Sequence, residues 1–268
     1  MGTSHNDLLV KVVAAASQGA AGAIVGAFLA CVTDPVTNRL LVKRMTLSQA
    51  LADVDFEQCI SYFRTTLPTN FIKFPLFEVL NVVTAKLNMP DNLKGVAAGA
   101  IFTTATLPLT NYRYCKSVRE DVQLSSPKLW KAYLPTVIRD IAYANARNYI
   151  AAIIQRSHPG VAGSVLGRIL SMFVTVVAAC IISSPGNEWR GYSLQPANAR
   201  KPLSEFFQTA RYLRSTLIGA VVMGISLGLA TVVGPPVQRS LPYLKDPRVV
   251  SAMLALWIAY RLNKGSEE

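Results

Sequence analysis

AGAIVGAFLACVTDPVTNR (Ala21–Arg39), GVAAGAIFTTATLPLTNYR (Gly95–Arg113) and ILSMFVTVVAACIISSPGNEWR (Ile169–Arg190) are three versions of one stretch. Each is a small-residue, almost uncharged run that meets a proline and, a few residues on, an arginine. Glycines stand 13 and 9 residues before the proline in the first two, Gly22 and Gly26 before Pro35, Gly95 and Gly99 before Pro108. The third keeps Pro185 but carries Met172 and Val176 at those places. The prolines lie 73 and 77 residues apart, a threefold internal repeat, and such a period governs the reading of everything around it.

Around these stretches the composition is that of a membrane protein. Of 268 residues 51% are hydrophobic and 16% charged, and mean hydropathy is +0.32. Uncharged runs cover Val12–Thr33, Gly95–Tyr112, Ile169–Asn187 and Ser215–Gln238, each near the roughly 20 residues a helix needs to cross a bilayer. A water-soluble helix of that length would carry a charged face. Net charge is +12, and 16 of the 27 lysines and arginines fall in three windows, Arg39–Lys73, Arg113–Arg139 and Arg190–Arg214. Each window joins one hydrophobic segment to the next on the same side, the asymmetry of a multi-pass protein facing anionic lipid. No basic–aromatic ladder points to nucleic acid, so no nucleic-acid partner is expected.

Catalytic and metal chemistry have little material. Cys31, Cys59, Cys115 and Cys180 lack metal-type spacing and read as small apolar residues. The two histidines, His5 and His158, fall in a tail and a loop. Neither an enzyme, a metal nor a cofactor is expected. The N-terminus MGTSHND has no signal-peptide plan and is not Arg-rich, so any organellar address is expected to be internal.

The chain then divides into alternating helices. Helices are expected over Leu8–Thr33 (kinked or ended by Pro35), from near Thr65 to Leu87, and from Leu93 to about Val118. Three more are expected over Lys131–Arg156, from Val161 to a little past Pro185, and over Phe206–Val233. Thr46–Cys59 reads as a short helix on the membrane surface. Odd helices are small-residue-rich and proline-interrupted, and Gly19, Gly22, Gly26 and the pair Gly224/Gly228 offer close-packing faces. Even helices hold charges at mid-depth, expensive unless they face water or one another. Phe63–Thr69 (FRTTLPT) matches Trp130–Thr136 (WKAYLPT) without gaps, and Phe207–Ala210 is a weaker third copy. Residues 1–235 therefore form one six-helix domain with repeats at about 8–88, 93–157 and 160–235. Residues 236–268 form an extension whose Arg248–Leu262 segment, too short to span, reads as an interfacial or docking helix.

A tripartite six-helix chain with prolines at the ends of its odd helices resembles the mitochondrial carrier family, in particular its ADP/ATP-carrier-like members. The stretches SYFRTTLPTNFIKFP (Ser61–Pro75) and LWKAYLPTVIRDIAY (Leu129–Tyr143) look like the family's entries into its second and fourth helices. The resemblance covers about Leu8 to Pro235. It implies a pseudo-threefold bundle around a central cavity, with three surface helices on the matrix side and cardiolipin at the repeat junctions. It also implies residence in the mitochondrial inner membrane with both termini toward the intermembrane space.

The departures from the family pattern shape the functional expectation. The signature after each odd-helix proline is P-x-[D/E]-x-x-[K/R], whose charges close the matrix side. After Pro35, Pro108 and Pro185 the acidic places hold Thr37, Thr110 and Asn187, and the basic places hold Leu40, Arg113 and Arg190. No carboxylate remains at a ring position, so no ring of ion pairs is expected and two arginines are left without their usual partners. The second closure pattern is missing from Asn81–Lys86, Ala151–Arg156 and Ile225–Thr231, and the glycine after the aromatic-basic pair is replaced by Thr65, Ala132 and Thr209. The segments before Trp130 and before Phe207 look too short for two of the three surface helices.

The resemblance places substrate contacts at Ile72, with Lys73 as a stand-in for a basic residue, at Arg139 and Asp140, and at Arg214. Arg139 and Arg214 would grip an anion while Asp140 selects an amine. The plainer reading, which we favour at this point, has Arg139, Asp140, Lys73 and Glu78 as residual charges paired with one another. Alternating access needs two exclusive closures of similar free energy, and neither recognisable set is present. The favoured expectation is thus a carrier-fold protein that no longer transports and serves as an accessory subunit of an inner-membrane respiratory-chain or ATP-synthase complex. The alternative is an atypical carrier of an anionic or amino-acid-like metabolite.

Overall fold

The computed structural model describes residues 2–195, 200, 202–237 and 239, with side chains at all of these except 2–6, 203, 211, 214 and 215. Among the described residues every regular element is helical: α1 (Gly2–Leu41), α2 (Leu47–Ala52), α3 (Phe56–Ala85), α4 (Asp91–Ser117), α5 (Tyr133–Ser157), α6 (Val165–Leu194), α7 (Leu203–Phe206) and α8 (Thr209–Ala230). The C-terminal extension beyond residue 239, including Arg248–Leu262, lies outside the described residues. Six long helices stand antiparallel in a ring. Each packs chiefly on its chain neighbours, in the order α1, α3, α4, α5, α6, α8, and α8 returns to α1. The ring has a terminal end, where the N-terminus and the turns after Ala85 and Ser157 lie, and a connector end carrying α2, α7 and the longer links.

The surface is inverted relative to a water-soluble bundle. Phe28, Leu134, Tyr149, Leu166 and Ile182 are exposed, while Arg39, Asn70, Glu78, Asp140, Arg147, Glu188 and Arg190 are buried. Apolar side chains outside and charges inside suit an apolar solvent. Among the described residues three segments are long and apolar enough to cross a membrane: Asp7–Leu41, Val165–Leu194 and Thr216–Val237. The helices α3, α4 and α5 have the length but more polar sequences.

Helix ends differ from the expectation for identifiable reasons. Pro35 does not end α1, which continues to Leu41. A proline deprives the carbonyl four residues back of its donor, yet the helix carries on through the next turn, where the Arg39 guanidinium donates to the Pro35 carbonyl at 3.0 Å and the Thr37 hydroxyl to that of Thr33. Pro185 is likewise internal, and the Ser184 hydroxyl donates to the Ile181 carbonyl that the proline would otherwise orphan. The surface helix is only Leu47–Ala52, capped by a reciprocal Thr46–Gln49 box. Helix α3 begins at Phe56 rather than near Thr65 because Asp55 caps it, accepting from the Gln58 N–H at 2.7 Å.

Ala132, just before α5, has φ 58°, the left-handed region that favours glycine. Ala132→Gly is therefore expected to stabilise the fold by about 1 kcal/mol, read as a raised unfolding midpoint in detergent micelles. Elsewhere the glycine faces serve close packing. A Cβ on Gly19 would stand 2.5 Å from the Pro75 backbone, and one on Gly99 2.5 Å from the Ile141 nitrogen. Gly224 faces Phe173, and Gly22 and Gly26 face Phe74.

Candidate functional site

The ring encloses a cavity of about 280 Å³ to which all six long helices contribute, among them Gly26, Lys73, Phe102, Arg139, Ser183 and Ala220. A second, wider cavity of about 610 Å³ opens toward the terminal end, between Gln18, Asn81, Arg147, Arg168 and Thr231. Glu78 lines both. Its carboxylate meets the Arg147 guanidinium at 2.8 Å, with side-chain exposures of 9% and 7%, so this pair partitions the two spaces. Arg147 also lies 5.3 Å from the centroid of the Phe77 ring.

At the connector end the expectation of an ion-pair-free ring is overturned. Arg113 pairs with Asp34 at 2.5 Å and also donates to the Asn70 side-chain amide oxygen; the Tyr62 hydroxyl donates to the same Asp34 carboxylate at 2.7 Å. Arg190 donates to the Asn111 side chain at 2.7 Å, and Asn111 in turn donates to the carbonyls of Leu129 and Lys131. Deeper in the same end, Arg44 pairs with Glu188 at 2.6 Å and lies 3.5 Å from the Phe206 ring centroid. The carboxylates come from places adjacent to the expected ones. Asp34 stands three residues before Thr37, on the same helical face, and Glu188 follows Asn187 directly. Spacing at i, i+3 was the signal that could have found Asp34.

The uncharged residues at the expected ring positions do little of this. Thr37 and Thr110 donate their hydroxyls to carbonyls one turn back on their own helices, and Leu40 is fully buried beside Val36 and Ala50. Asn187 accepts only a long 3.5 Å contact from Arg139. Of the prolines, Pro35, Pro108 and Pro185 all sit within continuous helices.

The sequence-derived contact residues divide. Ile72 is 52% exposed and faces away, whereas Lys73 lines the cavity, its ammonium 5.9 Å from the Phe102 ring centroid. Arg139 and Asp140 are brought together, with 2.7 Å between guanidinium and carboxylate, and the Thr103 hydroxyl donates to the other Asp140 oxygen at 2.7 Å. Glu78 pairs with Arg147 rather than with Lys73. Arg214 belongs to α8, but its side chain lies outside the described residues.

Beneath the ring, the connector layer is tied by Arg39, which donates to the carboxylate of Asp53 at 2.6 Å and to the Ser117 carbonyl at 2.8 Å. That hydrogen bond and charge hold the Asp53 carboxyl below its usual range, and the Gln58 N–H followed by Arg119 does the same for Asp55. All four cysteines are free thiols, and no metal-ligating cluster occurs among the described residues.

Asp34→Asn keeps an acceptor for Tyr62 but removes the charge beside Arg113. It is expected to destabilise the ring by about 1.5–3 kcal/mol, against about 0.5–1.5 kcal/mol for Tyr62→Phe. Denaturant unfolding of both variants in micelles checks the order; equal effects would deny the ion pair its role.

No protein-family profile and no curated protein matches this chain.

Proposed function

We propose that the chain is a membrane-embedded carrier-like protein that binds a small anionic solute in its central cavity and exchanges it across the bilayer. The observation that carries this reading is the cavity at the centre of the ring, bounded by the Asp34–Arg113 pair toward one end and the Glu78–Arg147 pair toward the other. Ion pairs that form and break on opposite sides of a solute are what alternating closure requires. Between them stands Lys73, a cation with no carboxylate in ion-pair reach among the described residues. In this reading, which the threefold sequence pattern and the carrier-family resemblance support, the protein resides in the mitochondrial inner membrane with termini toward the intermembrane space and cardiolipin among its lipid partners. In this reading the protein is not an enzyme.

A second reading keeps the fold and drops the transport: an accessory subunit of a respiratory-chain or ATP-synthase complex. One observation favours it. Both pair layers are closed at once, and Arg44–Glu188, at 5% and 1% side-chain exposure, further seals the connector end.

Reconstitution separates the two. The full chain in liposomes preloaded with mixed organic anions should show counterflow of a labelled anion that Lys73→Gln abolishes. Absence of counterflow with every anion tested, together with stoichiometric co-migration with one respiratory complex in native gels, overturns the carrier reading in favour of the subunit.

A further inference from the structure

Resting on the carrier reading, the cavity's charge balance narrows the solute class. Among the described residues six charged side chains line it: Asp34, Glu78, Asp140, Lys73, Arg113 and Arg139. Every carboxylate is already committed. Asp34 takes Arg113 and Tyr62, Asp140 takes Arg139 and Thr103, and Glu78 takes Arg147. Lys73 alone remains without an anionic partner among the described lining residues. Arg190, buried nearer the connector end and bonded to Asn111, does not line the space.

We infer that the cavity selects a small monoanion with an apolar, ring-sized body. One negative group would supply the ion-pair partner that the Lys73 amine lacks among the described residues. A solute ammonium would find no carboxylate that is not already ion-paired, since Asp34, Asp140 and Glu78 each hold an arginine. A second negative charge would be desolvated without a matching cation. Much of the remaining wall is apolar, with Phe74, Phe77, Phe102 and Tyr143 facing the same space as Lys73, although polar side chains such as Asn70, Ser183 and Asn187 interrupt it. At about 280 Å³ the cavity sits at the lower edge of the roughly 300–1,000 Å³ that drug-sized ligands occupy, which suits a compact acid. The amine selectivity expected of Asp140 from the sequence is withdrawn on these grounds.

A series sharing one benzyl body tests this on the detergent-solubilised full chain at neutral pH. The probes are 3-phenylpropanoate (monoanion), phenylalanine (zwitterion), benzylmalonate (dianion) and 3-phenylpropanamide (neutral), with acetate as the monoanion lacking the ring. Calorimetric titration should rank 3-phenylpropanoate at least about 10-fold above each of the others, the size of one charge-assisted hydrogen bond. Lys73→Gln should weaken it about 10- to 100-fold, while Lys73→Arg retains most of the affinity. The wild-type ranking decides the point even if a Lys73 variant folds poorly. Phenylalanine or benzylmalonate binding equally well overturns the monoanion assignment and leaves the carrier reading standing. Undiminished 3-phenylpropanoate binding by a folded Lys73→Gln protein overturns the role of Lys73. No binding of any probe to a folded wild-type chain overturns both inferences.

Discussion

Glu78→Leu is expected to destabilise the folded ring by about 3–5 kcal/mol, because it strands the Arg147 guanidinium in a buried site without its carboxylate. Arg147 is 6% exposed, and one of its nitrogens, Nη1, already lacks a partner, so no spare acceptor stands ready to replace Glu78. Neighbouring Phe77 offers only its ring face. The partner test is the double replacement Glu78→Leu with Arg147→Met, which removes both charges and fills the space with apolar atoms. A buried pair exchanged for well-packed hydrophobic residues is often neutral or stabilising. The double variant should therefore recover most of the loss, and chemical unfolding of the four proteins of the cycle in micelles measures the coupling. A single variant that loses under about 1 kcal/mol would mean that water reaches this pair and that it does not partition the two cavities. The same cycle bears on function: with the partition gone, a carrier should leak solute, whereas a fixed subunit has no flux to change.

The second large effect falls on the α4–α5 contact. Gly99→Val is expected to cost more than the 1–3 kcal/mol typical of overpacking, because the obstruction is backbone that has no other rotamer to adopt. Even the first added carbon would stand 2.5 Å from the Ile141 nitrogen and 2.7 Å from the Asp140 carbonyl carbon. Asp140 lines the cavity, so separating the helices should also pull it away from Thr103, whose hydroxyl donates to it at 2.7 Å. Gly163→Ala is the control. Nothing lies within 4 Å of a Cβ there, and its effect should stay within about 0.5 kcal/mol. Thermal unfolding of both variants checks the contrast; similar midpoints would contradict the close approach.

Much of this was legible in the chain. Gly95 and Gly99, spaced by one helical turn, marked a face that lets another helix come close, and Gly99 meets the Asp140–Ile141 backbone. The expected six helices are found as six long helices in a ring, but strict alternation is not: the third, α4, is among the more polar and the sixth, α8, overlaps a segment apolar enough to span. Arg139 and Asp140 were rightly paired, since adjacent residues of opposite charge need only one favourable rotamer each. Other features were beyond it. Asp34 does not stand at the place two residues after Pro35, but a helix brings i and i+3 to one face and lets its carboxylate reach from the turn before. Which of Ile72 and Lys73 faces the cavity turned on a difference of 100° around α3, smaller than the uncertainty in where that helix begins.

What the residues alone determined was periodicity and medium: long apolar runs, interior charges and repeated prolines follow from local composition and specify helices in a low-dielectric surrounding. Which charge meets which was decided only in three dimensions. Asp34 and Arg113, like Glu78 and Arg147, are 79 and 69 residues apart. A pairing across that separation depends on how each helix is rotated against its neighbours. Close packing at glycines such as Gly19 and Gly99 sets that rotation, and the steric fit exists only once both helices are in place.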